Sequence, residues 1–153
     1  MKKLMITGLL CVALLTGCGN SETYEAADIS DFDYVISDDS IILESYEDSN
    51  KYLEILSTYE IDGEKYKTNL DEFQVGGGPK TLVLSEGITS VNNSIFNGSD
   101  IQSVFFPSSM EYLYDDTLSY LHPDDGEKIH VYYAGTSEEW YLLMKDYETE
   151  RQS

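Results

Sequence analysis

Histidine, serine and carboxylate side chains do most catalytic chemistry, and this sequence places none of them in a recognisable catalytic pattern. His122 and His130 lack the i, i+4 spacing with which a helix presents a pair of ligands to a metal ion. No serine lies in a Gly-x-Ser-x-Gly elbow, and the run Gly76–Gly78 lacks the Lys-Ser/Thr of a phosphate-binding loop. With 29 Asp and Glu residues, a glycosidase-like carboxylate pair arises by chance. We therefore predict no enzyme, no catalytic residue and no cofactor.

Two acidic stretches, Asp115–Asp116 and Asp124–Glu127, carry the oxygen ligands that Ca²⁺ prefers. Neither stretch has the ligand spacing of a known calcium loop. We interpret both as solvated turns and predict no metal site.

One thiol near the N-terminus has a more specific chemical setting. Lys2 and Lys3 precede the apolar run Leu4–Leu15, which has the length of a signal-peptide core and is shorter than the roughly 20 residues that span a bilayer. The run ends in Leu15-Thr16-Gly17-Cys18, which resembles the lipobox of bacterial lipoproteins. That resemblance implies a signal peptide over residues 1–17, a diacylglycerol with palmitate-like chains on the Cys18 thiol, and cleavage before Cys18.

Lipidation would fix both the location and the redox chemistry of the chain. Once residues 1–17 are removed, Cys18 is the only cysteine, so the mature chain holds no disulfide and no thiolate metal site. A stable membrane anchor needs more than one acyl chain, which a diacylglyceryl cysteine provides. We expect a protein anchored to the cell membrane and facing outward, with residues 18–30 as a flexible tether. An ordered capping strand is the alternative for this stretch.

The charge balance excludes two classes of partner. The chain has 29 acidic residues, 9 Lys plus Arg and a formal net charge of −20. Because binding to nucleic acid or to anionic lipid headgroups depends on clustered basic residues, neither is an expected partner. Hydrophobic residues make up 41% of the chain and aromatic residues 12%, which favours a folded domain over acidic disorder.

Apolar triplets recur along the chain at related spacings. An offset of 22 residues superimposes Leu82-Val83-Leu84 on Val104-Phe105-Phe106. Leu53-Glu54-Ile55 and Ile129-His130-Val131 have the same form. Single apolar residues follow a similar rhythm at Phe73, Phe96, Leu118 and Trp140. Such repetition predicts units that each bury an apolar side against the next.

These repeats resemble the BspA-type leucine-rich repeat. Ile101-x-x-Val104-x-Phe106-Pro107-x-Ser109-Met110 matches that pattern, and Val131–Trp140 is similar to the tyrosine-rich ending that often follows it. The resemblance implies a cell-surface lipoprotein with a short α/β leucine-rich-repeat-like solenoid, mainly β, of three to four turns. Within a domain over 31–153 it assigns a divergent cap or first repeat to 31–78, repeats to 79–136 and a capping helix to 137–150.

The strand period also predicts which side chains are buried. Alternation sends the outer members of each triplet inward. The expected core residues are Leu82, Leu84, Val104, Phe106, Ile129 and Val131, with Phe73, Phe96 and Leu118 filling the interior from the opposite side.

Turn and cap residues predict the remaining elements. Asp38-Asp39-Ser40 separates two apolar runs and indicates a hairpin, and Asp62-Gly63 indicates a second turn. Ser137 is expected to cap a C-terminal helix. That helix would present Trp140, Leu143, Met144 and Tyr147 on one face.

The middle members of the triplets define the candidate site. Glu54, Val83, Phe105 and His130 should form a line across the exposed sheet, in which Val83 and Phe105 make an apolar spot of the kind that marks binding surfaces. Cover by residues 31–46 or by a loop is the alternative. We predict an adhesion or recognition module that binds an extracellular or envelope protein or a glycan. An envelope structural, accessory or immunity protein without a dedicated ligand is the alternative function.

Overall fold

The computed structural model describes residues 24–46, 48–113, 116–121 and 128–150, with the side chains of 145–150 outside that description. These residues form ten β-strands, one α-helix and two short 3₁₀ turns. The strands are β1 (Phe32–Ser37), β2 (Ser40–Tyr46), β3 (Tyr52–Ile55), β4 (Thr58–Ile61), β5 (Glu64–Asn69), β6 (Thr81–Leu84), β7 (Ser90–Val91), β8 (Ser103–Phe106), β9 (Tyr112–Leu113) and β10 (His130–Tyr133). The helix α1 spans Ser137–Glu150.

The first sheet has the order β1-β2-β5-β4 and contains two antiparallel hairpins. Ser37 pairs with Ser40 across a two-residue turn, where Asp38 adopts a left-handed backbone with a φ of 53°. The turn between β4 and β5 has positive φ at both Asp62 and Gly63, as tight hairpins require. Both predicted turns are confirmed.

The second sheet has the order β10-β8-β6-β3, and all its strands are parallel. Leu53 pairs with Leu82, and Leu82 pairs with Val104, so three of the four predicted triplets stack in register. A third sheet pairs β7 with β9 at the same offset of 22 residues, because Ser90 lies opposite Tyr112.

The predicted α/β leucine-rich-repeat-like solenoid is wrong as a description of the fold. The described chain is mainly β, with three sheets and a single α-helix. Residues 32–46 and 58–69 form an antiparallel-containing sheet that follows no repeat, because tight turns at Asp38 and at Asp62-Gly63 reverse the chain locally. The 22-residue rhythm therefore governs only the segment from β6 to β9.

Burial follows the predicted alternation in the central strands. Leu82, Leu84, Val104, Phe106, Phe73 and Phe96 are all buried, which confirms six of the expected core residues. Leu118 is partly buried against the core. Ile129 and Val131 are not core residues, since Ile129 is half-buried and Val131 is 40% exposed. Val131 pairs with buried Val104, but it belongs to the edge strand of the sheet.

Helix α1 packs against the last repeat, as predicted. Leu143 is buried, and the Trp140 ring lies 6.2 Å from that of Phe106 and 5.4 Å from that of Tyr133, between centroids. Met144 is partly buried. The side chain of Tyr147 lies outside the described residues.

The expected N-cap at Ser137 is wrong by one position. Glu139 donates its backbone N–H to Thr136 Oγ1, and Thr136 donates its own to the Glu139 carboxylate, at 3.2 and 2.7 Å. This reciprocal pair is a capping box that begins at Thr136. Helix formation starts at Ser137 because the preceding hydroxyl satisfies the first-turn donor.

The described N-terminal segment packs onto the domain. Ala27 donates its backbone N–H to the Glu54 carbonyl at 3.1 Å, and the Tyr24 ring stacks on Tyr52 with centroids 4.4 Å apart. Ala27 and Ile29 are partly buried against the core. The chain therefore runs beside β3 before it enters β1. Residues 1–23, with Cys18 and the predicted signal peptide, lie outside the described residues.

Candidate functional site

The candidate site lies on the face of the parallel sheet that points away from the core. Glu54, Val83 and Phe105 are direct neighbours in one row across β3, β6 and β8. The fourth member of this row is Tyr132, which pairs with Phe105. The sheet thus brings three of the four predicted residues together and replaces the fourth by a tyrosine.

His130 belongs to the adjacent row. It pairs with Ser103, two residues before Phe105 on β8, so it points to the same face one position along the strand. The predicted alignment of Ile129-His130-Val131 was two residues out of register. Val131-Tyr132-Tyr133 matches Val104-Phe105-Phe106 better in side-chain type, and this similarity could have identified the correct register.

One end of the row is polar and makes hydrogen bonds, and the other end is apolar and exposed to solvent. Glu54 is half-buried, and its carboxylate accepts hydrogen bonds from the Ser85 and Tyr52 hydroxyls at 3.1 and 3.2 Å. Burial and the adjacent Glu54 carboxylate raise the pKa of Tyr52 to about 12. At the other end Phe105 is 38% exposed and Tyr132 is 46% exposed. Neither the hairpin β1–β2 nor another described segment buries this end, since both rings keep these exposed fractions.

Phe105 and Tyr132 form a stacked pair. Their ring centroids are 4.3 Å apart and their planes differ by 10°. Two nearly parallel rings this close must overlap face to face, since rings lying side by side in one plane would collide. Adjacent strands are about 4.8 Å apart, so the stack runs across the strands and the rings stand upright on the sheet. The pair therefore presents ring edges above the sheet, and the outer face of Tyr132 is turned toward the edge of the sheet at β10.

His130 extends this aromatic surface along β10. Its ring centroid lies 6.3 Å from that of Tyr132 with an interplanar angle of 17°. Phe105, Tyr132 and His130 make an exposed group, called here the aromatic cluster, in a strongly acidic chain. An apolar surface of this kind gains free energy when a partner removes it from water.

A second concave feature lies between β5 and the turn that precedes β7. This open groove has a volume of about 510 Å³, and half of its lining residues are Ser or Thr. Lys67 and Asp71 are the charged residues among its described lining, which includes no aromatic ring. The groove lacks the apolar walls and convergent polar groups of a typical small-molecule site.

The described residues contain no group of three or more His, Cys, Asp and Glu side chains placed to hold a metal ion. No helix among them has the length and hydropathy needed to cross a bilayer. His122, Asp115 and the acidic stretch 124–127 lie outside the description. Comparison with family models, with curated proteins and with solved structures found no match to this chain.

Proposed function

We propose that this protein is a lipid-anchored, extracytoplasmic binding protein whose aromatic cluster contacts a partner protein. The anchor rests on the lipobox resemblance at Cys18. The binding role rests on one observation, the exposed stack of Phe105 and Tyr132 on an uncovered sheet face. No catalytic role is part of the proposal.

The upright rings favour a protein over a glycan. Sugars pack their C–H groups, which carry partial positive charge, on the electron-rich faces of aromatic rings. In this stack each ring gives one face to its neighbour and turns its edge outward. The other face of Phe105 is toward β6, so only the outer face of Tyr132, on the edge strand β10, is placed for such a contact. Aliphatic and aromatic side chains of a protein pack against such edges, and aromatic residues are enriched where proteins bind one another.

Photo-crosslinking in cells that express the full chain tests the binding role. A photoreactive amino acid at Tyr132 should give a discrete adduct with one envelope protein, and Phe105→Asp in the same chain should abolish it. The same label at Tyr141, an exposed aromatic residue on α1, is the matched control and should give no such adduct. Unchanged thermal stability of the Phe105→Asp variant would show that the loss is local.

Two results would reject this function. Equal adducts from positions 132 and 141 would show that the cluster has no special role. Binding of the purified protein to a glycan array, lost in Phe105→Asp, would replace the protein partner by a carbohydrate.

The anchor has a separate test. The mass of the mature N-terminal peptide should correspond to a chain that begins at Cys18 and carries acyl groups. Cys18→Ala should leave the chain uncleaved. An unmodified Cys18 in the native protein would remove the anchoring claim.

A further inference from the structure

Strand β1 is an edge strand whose core side is left uncovered by the described residues. Tyr34 and Ile36 pair with Leu43 and Ile41, which are fully buried, so all four side chains point to the core face of the first sheet. Yet Tyr34 is 37% exposed and Ile36 is 42% exposed. Val35, on the opposite face, is 49% exposed. Three consecutive apolar residues at a sheet edge are thus in contact with water.

The backbone of this edge is also unpaired among the described residues. In a two-residue hairpin the residues that flank the turn exchange hydrogen bonds, and hydrogen-bonded pairs then alternate along the ladder. Ser37 and Val35 therefore bond to β2, and Tyr34 and Ile36 turn their N–H and C=O groups outward. The described backbone bonds between elements include none from either residue. Such an edge is a template for another strand.

We propose that β1 pairs with β1 of a second copy of this chain, antiparallel, about a two-fold axis at Val35. Tyr34 then lies opposite Ile36 of the second copy, and Ile36 lies opposite Tyr34 of the second copy. Each of these two pairs exchanges two backbone hydrogen bonds. The four side chains of these pairs lie on the core face and cover one another. Val35 meets its own copy on the other face.

The residue pattern of the strand is complementary to itself in this register. Asp33 lies opposite the neutral Ser37 of the second copy, so no carboxylate faces another across the strand pair. If the two-fold axis passed through Ile36, Tyr34 would face Asp38 of the second copy. If it passed through Tyr34, Asp33 would face Val35 of the second copy. Only the Val35-centred register pairs all three apolar residues with apolar residues.

Residues 24–31, the described part of the N-terminal segment, do not cover this edge. This part runs beside β3, where Ala27 bonds to Glu54 and Tyr24 stacks on Tyr52. The ladder irregularity between Asp33 and Tyr34 limits regular pairing to the end of β1 nearer the turn. The resulting sheet would run from β4 of one copy to β4 of the other.

A cysteine on the axis tests the geometry directly. Opposed residues of a non-hydrogen-bonded pair have Cα atoms about 4.5 Å apart, which a disulfide spans. Val35→Cys in the full chain, expressed in cells and oxidised mildly, should give a covalent dimer. Ser37→Cys is the matched control, because its two copies would be about 13 Å apart along the strands and cannot be bridged. The parent chain, oxidised in the same way, is a second control. Any covalent dimer that it forms must come from Cys11 or Cys18.

Sedimentation of the purified full-length protein in detergent tests the association itself. The parent protein should dimerise with rising concentration, and salt should strengthen the dimer by screening two copies of formal charge −20. Val35→Glu places two carboxylates on the axis and should give a monomer with an unchanged circular dichroism spectrum. Val131→Glu, at an exposed valine of the other sheet, should still dimerise.

The inference is overturned if the parent protein stays monomeric at high concentration and high salt, or if Val35→Glu dimerises as the parent does. Equal crosslinking of Val35→Cys and Ser37→Cys would reject the register. Because β1 and the aromatic cluster lie in different sheets, failure here leaves the proposed binding role standing.

Discussion

A single buried amide joins two successive turns of the chain. Asn92 is buried, and its Nδ2 donates hydrogen bonds to the carbonyls of Leu70 and Phe73 at 2.5 and 2.8 Å. Its Oδ1 accepts from the backbone N–H of Ser94 at 2.7 Å. One side chain thus gives hydrogen-bond partners to two backbone carbonyls and one backbone N–H, all of which lie outside the strands.

Replacing Asn92 should therefore destabilise the protein strongly. Asn92→Ala leaves the Phe73 carbonyl and the Ser94 N–H without partners and removes the shorter of the two hydrogen bonds to the Leu70 carbonyl. We expect the free energy of unfolding to fall by about 3 kcal/mol. Asn93→Ala is the matched control at an exposed position and should change it by less than about 0.5 kcal/mol. Urea denaturation measures both variants. Similar losses at the two positions would show that the amide bonds do not matter.

Glu86 links neighbouring turns on the surface. Its carboxylate accepts hydrogen bonds from the backbone N–H and hydroxyl of Ser108, at 2.7 and 2.9 Å, and from Ser109 N–H at 3.2 Å. The bond from the Ser108 backbone N–H is the main reason that the pKa of Glu86 lies below its ordinary value.

This lowered pKa makes the Glu86 contribution dependent on pH. The ionised form is favoured in the folded state, so its stabilisation is present above the unfolded pKa, near 4.5, and is lost as pH falls through the lower folded pKa. Because the group is exposed, Glu86→Gln should cost at most about 1 kcal/mol at neutral pH. That cost should vanish in acid. Denaturation curves against pH, with Glu72→Gln as the exposed control, check the trend; a pH-independent cost would contradict it.

Residue types alone predicted much of the core and the outline of the site. The alternating apolar triplets identified four core residues, because burial on one face of a strand imposes a period of two. These residues are Leu82, Leu84, Val104 and Phe106. Asn92 could not be found this way, since an isolated asparagine in sequence has the composition of a turn. Its role depends on carbonyls some twenty positions earlier in the chain.

At the scale of elements, helix α1 covers the last turn of the repeat region. It lies close to β9, and its Leu143 is buried while the neighbouring Leu142 is 52% exposed. Without this helix the apolar ends of β8 and β9 would face water, as in any stack that lacks a terminal cap.

The two leucines give a matched pair for testing the cap. Leu143→Ala removes a buried side chain and should lower the free energy of unfolding by about 2–3 kcal/mol. Leu142→Ala changes helix propensity by the same amount, but at an exposed position. It should lower the free energy of unfolding by less than about 0.5 kcal/mol. Thermal or urea unfolding compares them. Equal effects would mean that α1 does not pack as a cap.

Elements set by local signals were predictable, and elements set by distant pairing were not. The hairpin at Asp38-Asp39 and the helix at Ser137–Glu150 follow from turn and cap residues within a few positions. The register of β10 depends on its pairing with β8, across an insertion that shifts the repeat. The sheet of β1, β2, β5 and β4 was missed because its parallel contact between β2 and β5 has no sequence signature.

At the scale of the whole molecule, uncompensated charge opposes the compact state. The chain carries a formal net charge of −20, and one ion pair, Lys80 with Asp100 at 3.5 Å, joins described residues. Both partners of that pair are substantially exposed, so it contributes little. Mutual repulsion of the carboxylates is the larger electrostatic effect, and folding brings them closer together.

We therefore expect salt to stabilise this protein. Raising sodium chloride from about 0.01 to 0.15 M shortens the screening length from about 30 to 8 Å. The melting temperature should rise by several degrees, because repulsion among the carboxylates is screened and few favourable ion pairs are lost. Chloride is the appropriate anion, since sulfate would also strengthen apolar burial. Lys80→Ala should show the same salt dependence as the parent protein. A melting temperature that falls with added chloride would show that attractive charge pairs outweigh the repulsion.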